Sequence, residues 1–136
     1  MVDGYADQFA DVDVDRVLDA LRLMRRASLL IRELEAYFAR HDLSQLRFLM
    51  MILIDREPER NCLAASEIAE RLDVSRPVVT RTLQGLERAG LIAISENSED
   101  ARSRNVTLTL SGKAKLDEVL PGYFAILHRP DPAADK

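Results

Sequence analysis

The stretch that most constrains the fold is LAASEIAERLDVSRPVVTRTLQGLERAGLIAIS, residues 63–95, because it sets two short helical patterns almost end to end and then runs into a β-branched segment. Leu63, Ile68, Ala69 and Leu72 recur at helical spacing and predict a short helix that ends near Asp73, a residue type that tolerates the left-handed conformation favoured at helix stops. Ser75 is placed to cap the next helix, Pro77 is acceptable in its first turn, Val79, Leu83 and Leu86 share one face, and Gly90 stops it.

Downstream, LIAIS and NVTLTL are alternating β-branched runs joined by the polar NSEDARSR, residues 97–104, and together they read as a hairpin with a polar loop. Helix, short turn, helix and hairpin is the order of a winged helix-turn-helix, in which the second helix enters the major groove and the hairpin reaches over the backbone. On that second helix, the face opposite Val79, Leu83 and Leu86 carries Arg76, Pro77, Val78, Thr80, Arg81 and Gln84. Arginine can grip guanine at two atoms or pair with phosphate, glutamine can do the same for adenine, a hydroxyl can donate to phosphate oxygen, and valine can touch a thymine methyl. The same residues would suit an ordinary solvated helix surface. Their place in the motif, and an apolar Val78 beside Pro77 on the outer face, favour the groove.

Upstream, Val17, Leu18, Leu21, Met24, Ala27, Leu30, Ile31, Leu34 and Phe38 predict one long amphipathic helix from Val14 to about Arg40. Its length exceeds the roughly 11 residues of an average globular helix, so one end is expected to pack on a partner subunit. In HDLSQLRFLMMILID, Ser44 can cap a second helix with a buried stripe of Phe48, Leu49, Ile52 and Leu53, while Met50 and Met51 fill core gaps. Thr109 can cap a last helix carrying Leu116, Val119, Leu120, Phe124 and Leu127, with Pro121 a kink or break inside it and HRPDPAADK a disordered tail.

The 136 residues carry a formal charge of -4, so an anionic partner has to be held by a local patch rather than by the whole molecule. One cysteine, Cys62, leaves no intrachain disulfide or multi-cysteine zinc site and suits a reducing cytosol. The N-terminal MVDGYADQFADVDVD is acidic, and no stretch reaches the roughly 18 apolar residues of a membrane span, so a soluble cytoplasmic protein is expected. His41 and His128 lack neighbours at metal-ligand spacing, and neither a Gly-rich phosphate loop nor a nucleophile elbow is present. No enzyme, cofactor or metal is therefore expected.

The residues LAASEIAERLDVSRPVVTRTLQGLERAGLI, followed by SEDARSRNVTLTLSGKA, resemble the MarR family of bacterial transcriptional regulators, and the resemblance spans roughly residues 14 to 127. It implies a homodimer whose winged helices read a pseudo-palindromic operator in double-stranded DNA. Release by a small phenolic or lipophilic effector, or by oxidation, is implied as well. Carried over position by position, Ser75, Arg76, Pro77, Val78, Thr80, Arg81 and Gln84 match the groove-facing places. Asp100 and Arg102 match the acid and arginine of the wing, with Ser103 and Arg104 beside them. The arginine would enter the minor groove and the acid would hold it extended.

The organisation this implies is mainly α with a small β-hairpin wing. A disordered acidic N-terminus (1–13) and a long dimerisation helix (14–41) precede the winged helix-turn-helix (42–110), and a short C-terminal helix and tail (111–136) follow. Three departures from the family matter. Ala64 stands where a hydroxyl cap is usual, with Ser66 as a substitute. Glu96 and Glu99 face phosphate badly and predict weak non-specific binding. Relatives continue past the Pro121 position into a further long helix, so the expected dimer rests mainly on residues 14 to 38 and a short last helix.

Two further readings concern Cys62 and the aromatic residues. An oxidisable cysteine in relatives lies in the first helix, whereas Cys62 precedes the third, which speaks against a sensor. Tyr37, Phe38 and Phe48 could line an effector pocket, although aromatic residues at helical spacing are usually core. Beside DNA binding stand a winged helix turned to protein binding, suggested by the negative charge and acidic wing, and a small-molecule carrier or enzyme; the arginines favour DNA.

Overall fold

The computed structural model describes residues 8–9, 11–57, 63–97 and 100–130, with the backbone alone at 96–97 and 100–104. Most of segment 1–13, Cys62 and tail residues 131–136 lie outside the described residues. In chain order the elements are α1 (Val14–Arg40), α2 (Gln45–Asp55), β1 (Leu63–Ala64), α3 (Ala65–Leu72), α4 (Arg76–Arg88), β2 (Ile92–Asn97), β3 (Asp100–Leu108) and α5 (Leu110–His128). Contacts divide the chain into two units, residues 1–36 and 37–136. Within the first, α1 exposes Leu21, Leu23, Met24, Leu29, Leu30 and Ile31, with Met24 at 66%.

Three helices stop by one device. Asp42, Asp73 and Gly90 take positive φ of 58°, 53° and 76° after α1, α3 and α4. The amide of the following residue then returns to the last turn: Leu43 N–H donates to Phe38 C=O at 2.9 Å, Val74 to Ala69 at 3.1 Å and Leu91 to Leu86 at 3.0 Å. These bonds satisfy carbonyls that a helix end would otherwise leave open, and Leu43 and Leu91 are buried as they turn away.

Helix starts are more varied. Ser44 Oγ accepts the Arg47 amide at 3.1 Å, and Thr109 Oγ1 accepts the Gly112 amide at 3.0 Å while donating to Gly90 C=O at 2.6 Å. Ser75 occupies the cap position of α4, but its hydroxyl caps no amide, contrary to expectation. Ala64 precedes α3 without a side-chain acceptor for a first-turn amide, while Glu67 Oε1 accepts the amide of Ala64 itself at 3.1 Å, the reciprocal half of a capping box.

In the second unit the core is built around α2, which packs against α4, α5 and β3. Phe48, Met50, Met51 and Ile54 are buried, whereas Leu49, Ile52 and Leu53 are only half-buried. Phe48 is covered and Met50 and Met51 fill the core as expected, but Leu49, Ile52 and Leu53 are not the buried stripe that periodicity predicts, because a helix covered on several sides has no single apolar face to read. Ile68, Val79, Leu83, Leu86, Leu116 and Val119 complete the core from the other helices.

The sheet has order β1-β3-β2 and is antiparallel throughout. Val106, fully buried at its centre, lies opposite Leu63 on one side and Ile94 on the other. Leu63 thus belongs to a strand and not, as predicted, to α3. Likewise β3 begins at Asp100, so most of the polar segment expected as a loop is strand; backbone pairing is available to polar residues as much as to apolar ones.

Helix α5 follows the Thr109 cap and carries Leu116 to Leu127 as expected, running through Pro121 without a break for 19 residues. Near the proline, Val119 C=O accepts a hydrogen bond from Tyr37 Oη at 2.7 Å, while the carbonyl that loses its helical amide to Pro121 is that of Asp117, four residues back. Leu116 and Val119 are buried and Leu120 half-buried, but Phe124 and Leu127 are exposed at 58% and 43%.

Candidate nucleic-acid interface

The interface is built on α4. Val79, Leu83 and Leu86 bury its inner face, and α2, α3 and β2 pack against it. With that face held, the helical period turns Arg76, Pro77, Thr80, Arg81 and Gln84 outward, where all five are exposed. Val78 is half-buried rather than exposed, and its carbonyl accepts the Thr82 hydroxyl at 2.8 Å. Among the described residues neither Arg76 nor Arg81 pairs with a carboxylate, so both guanidinium groups keep their donors for another acceptor. Ser75, exposed and engaged in no cap bond, stands at the positive end of the helix dipole, where an anion is favoured.

The hairpin supplies the second part. Its ladder runs evenly from Ile92 opposite Leu108 to Glu96 opposite Arg104, and then slips so that Asn97 lies opposite Asp100. Asp100 and Arg104 bracket the slip, and Arg102 and Ser103 lie within it. An interrupted ladder of this kind bends a strand and re-aims its residues. The register also sets Glu96 directly across from Arg104, an opposite-charge cross-strand position.

Tyr37, Phe38 and Phe48 are brought together elsewhere, in a packed aromatic cluster. Phe38 and Phe48 have ring centroids 4.7 Å apart, Tyr37 and Phe38 5.9 Å, and Tyr123 of α5 closes the group 4.7 Å from Phe48. Phe38 and Phe48 are fully buried. His41 takes a helix-end role, with Nδ1 3.8 Å from Glu118.

Sequence reasoning missed Arg47 and Gly85. The Arg47 guanidinium of α2 lies against the α4 backbone at Gly85, where a Cβ would overlap Nη2 and stand 3.1 Å from Cζ. Two signals could have found the pair: a lone base in the apolar QLRFLMMILID, and a glycine in the interior of α4.

Comparison with known proteins agrees with this geometry. Residues 41–103 match the model of the MarR family. The HTH-type transcriptional repressor YetL of Bacillus subtilis is 33% identical over 122 residues, which cover 89% of this chain and 72% of that protein. Sco3205, a MarR family transcriptional regulator from Streptomyces coelicolor solved in complex with DNA, shares the fold with a TM-score of 0.82 at 19% identity, over 91% of this chain and 81% of its own. The M. tuberculosis transcriptional regulator MOSR, also solved with DNA, aligns with a TM-score of 0.65 at 25% identity, over 79% and 76%. With a relative this similar along most of both chains, and with helix-turn-helix and hairpin in the matching order, the chain belongs to the MarR family of winged-helix transcriptional regulators.

Proposed function

We propose that this chain represses transcription by binding a pseudo-palindromic operator in double-stranded DNA as a homodimer, with α4 of each copy in the major groove. The observation that carries the reading is the outer face of α4, where Arg76, Thr80, Arg81 and Gln84 are exposed together opposite the buried Val79, Leu83 and Leu86. Arg81 and Gln84, one helical turn apart, are placed to read base edges, while Arg76, Thr80 and Ser75 hold phosphates. Arg102 would enter the flanking minor groove with Asp100 steadying it, a reading supported by the ladder slip in which Arg102 lies. The DNA complexes of Sco3205 and MOSR support a duplex partner, and the description of YetL as a repressor supports the direction of control.

A second copy would cover the exposed apolar side chains of α1, and Phe124 and Leu127 of α5. The half-sites would then lie about 10 base pairs apart. A small phenolic or lipophilic effector would act by displacing ring contacts among Tyr37, Phe38, Phe48 and Tyr123, loosening the join of α1, α2 and α5. Such a regulator works in the cytoplasm, beside the genome; among the described residues no helix is long and apolar enough to cross a membrane.

The test is a selection of genomic fragments by the purified protein, with its mass in solution measured alongside. Enrichment of an inverted repeat, lost on Arg81→Ala, is expected; no enrichment from an exhaustive library sinks the reading. The alternative, a winged helix turned to protein binding, draws on the net charge of -4. It predicts partner capture that survives both Arg81→Ala and Arg102→Ala.

A further inference from the structure

We propose that Arg47, on α2 and outside the helix-turn-helix pair, is a phosphate-binding residue placed along the flank of the recognition helix, and that Gly85 is the gap that admits it. The inference rests on the DNA-binding reading. Its physical basis is an unusual placement of charge. Arg47 sits in the first turn of α2, whose residues between Gln45 and Asp55 are otherwise apolar, and is half-buried. Among the described residues its guanidinium has no carboxylate partner. A partly desolvated cation without a counter-charge is costly, and an apolar residue of similar length would pack there without that cost. The side chain nevertheless crosses to α4 and lies on Gly85, at the one point of that helix where the missing Cβ leaves space.

Gly85 follows Gln84, which is exposed on the groove-facing side, and Arg88, one turn further, is exposed as well. The guanidinium is therefore held beside the reading face and not on it. A helix lying in the major groove has a phosphate backbone along each flank, so a guanidinium held against the side of α4 stands next to that backbone. A planar guanidinium suits a phosphate acceptor better than the point charge of lysine. In this arrangement Arg47 carries no sequence information; it adds affinity on every duplex and sets how deeply α4 sits.

The test compares wild type with Arg47→Met and Arg47→Lys on a random-sequence duplex, titrated between about 50 and about 200 mM salt. Loss of one phosphate contact lowers the slope of log K against log salt by about 0.9 for each bound protomer, so the wild-type advantage over Arg47→Met shrinks about 3.5-fold per protomer across that range. Arg47→Lys should keep the slope. An unchanged slope in Arg47→Met would overturn the inference and leave Arg47 a packing residue, even if affinity dropped. Should Arg47→Met fail to fold, Arg47→Gln provides the same comparison. A wild type that retards no duplex at low salt overturns the DNA-binding reading itself, a different result from equal slopes.

Discussion

Replacing Gly122 by alanine should destabilise the protein even though alanine is worth about 1 kcal/mol more than glycine inside a helix. A Cβ on Gly122 overlaps the Tyr37 hydroxyl and lies 2.6 Å from Cζ and 2.7 Å from Cε1. The ring has little freedom to yield. It is buried, packs on Phe38 and His41 at centroid distances of 5.9 and 4.8 Å, and donates to Val119 C=O at 2.7 Å. Forcing it aside costs about 1–3 kcal/mol of overpacking and a hydrogen bond worth about 1 kcal/mol. Against the gain in helix propensity, the net loss is about 1–3 kcal/mol. Urea unfolding followed by circular dichroism would read it as a lower midpoint at unchanged slope, with protein concentration held equal because association shifts apparent stability. Repeating the exchange in a Tyr37→Leu background isolates the cause. There the collision is gone, and Gly122→Ala should become stabilising by up to about 1 kcal/mol, a coupling of about 1–4 kcal/mol. If Gly122→Ala matched or exceeded the wild type while Tyr37 was present, the packing argument would be wrong.

Gly112→Ala should be harsher still. The added Cβ meets the backbone carbonyl of Leu91, which accepts the Thr109 amide at 3.1 Å and cannot swing away as a side chain could, so a loss of about 3 kcal/mol and about 10 °C in Tm is expected; an unchanged Tm would show that the strand–helix junction is free to move. Lys113 Nζ lies 2.9 and 3.1 Å from the two Asp55 carboxylate oxygens, and that hydrogen bond first, with the carboxylate charge second, raises its pKa above 10.5. Because the folded value is the higher one, the stabilisation is complete below 10.5 and is lost only as pH climbs through the folded value. Lys113→Met should therefore lower the urea midpoint at neutral pH, with the gap to wild type closing only in strong alkali; a gap that closed near neutrality would contradict this. In a binding assay on a selected operator, Arg81→Ala should cost about 1–3 kcal/mol and relax preference at one base pair in each half-site, whereas equal losses on every sequence would make Arg81 a phosphate contact instead.

The parts of the interface that were legible are those decided within a turn or two of chain. Val79, Leu83 and Leu86 recur at the helical period, so the identity of the opposite face of α4 followed without any knowledge of what the inner face touches. Ser44 and Thr109 cap because a hydroxyl at that position reaches the amide three residues on. The stops at Asp73 and Gly90 follow from which residues accept a positive φ. The same local rule failed at Ser75, where the hydroxyl is in position and yet makes no cap bond. Even there the helix boundary was right, since Pro77 in the first turn and the period of Val79 and Leu83 mark it independently of the bond.

The order of helix, turn, helix and hairpin, and with it the exposed arginines of α4, follows from neighbouring residues, because helical periodicity and backbone conformational preference act within a turn or two of chain. Other features exist only through contacts between distant elements. Leu63 is a strand residue only because β3 runs beside it, and α2 buries Ile54 while leaving Leu49, Ile52 and Leu53 half-buried only because α4, α5 and β3 meet around it. Arg47 rests on Gly85, and Tyr37 on Gly122, across separations no period encodes. Each depends on space left by a glycine on another element, and packing of that kind exists only once the elements have met.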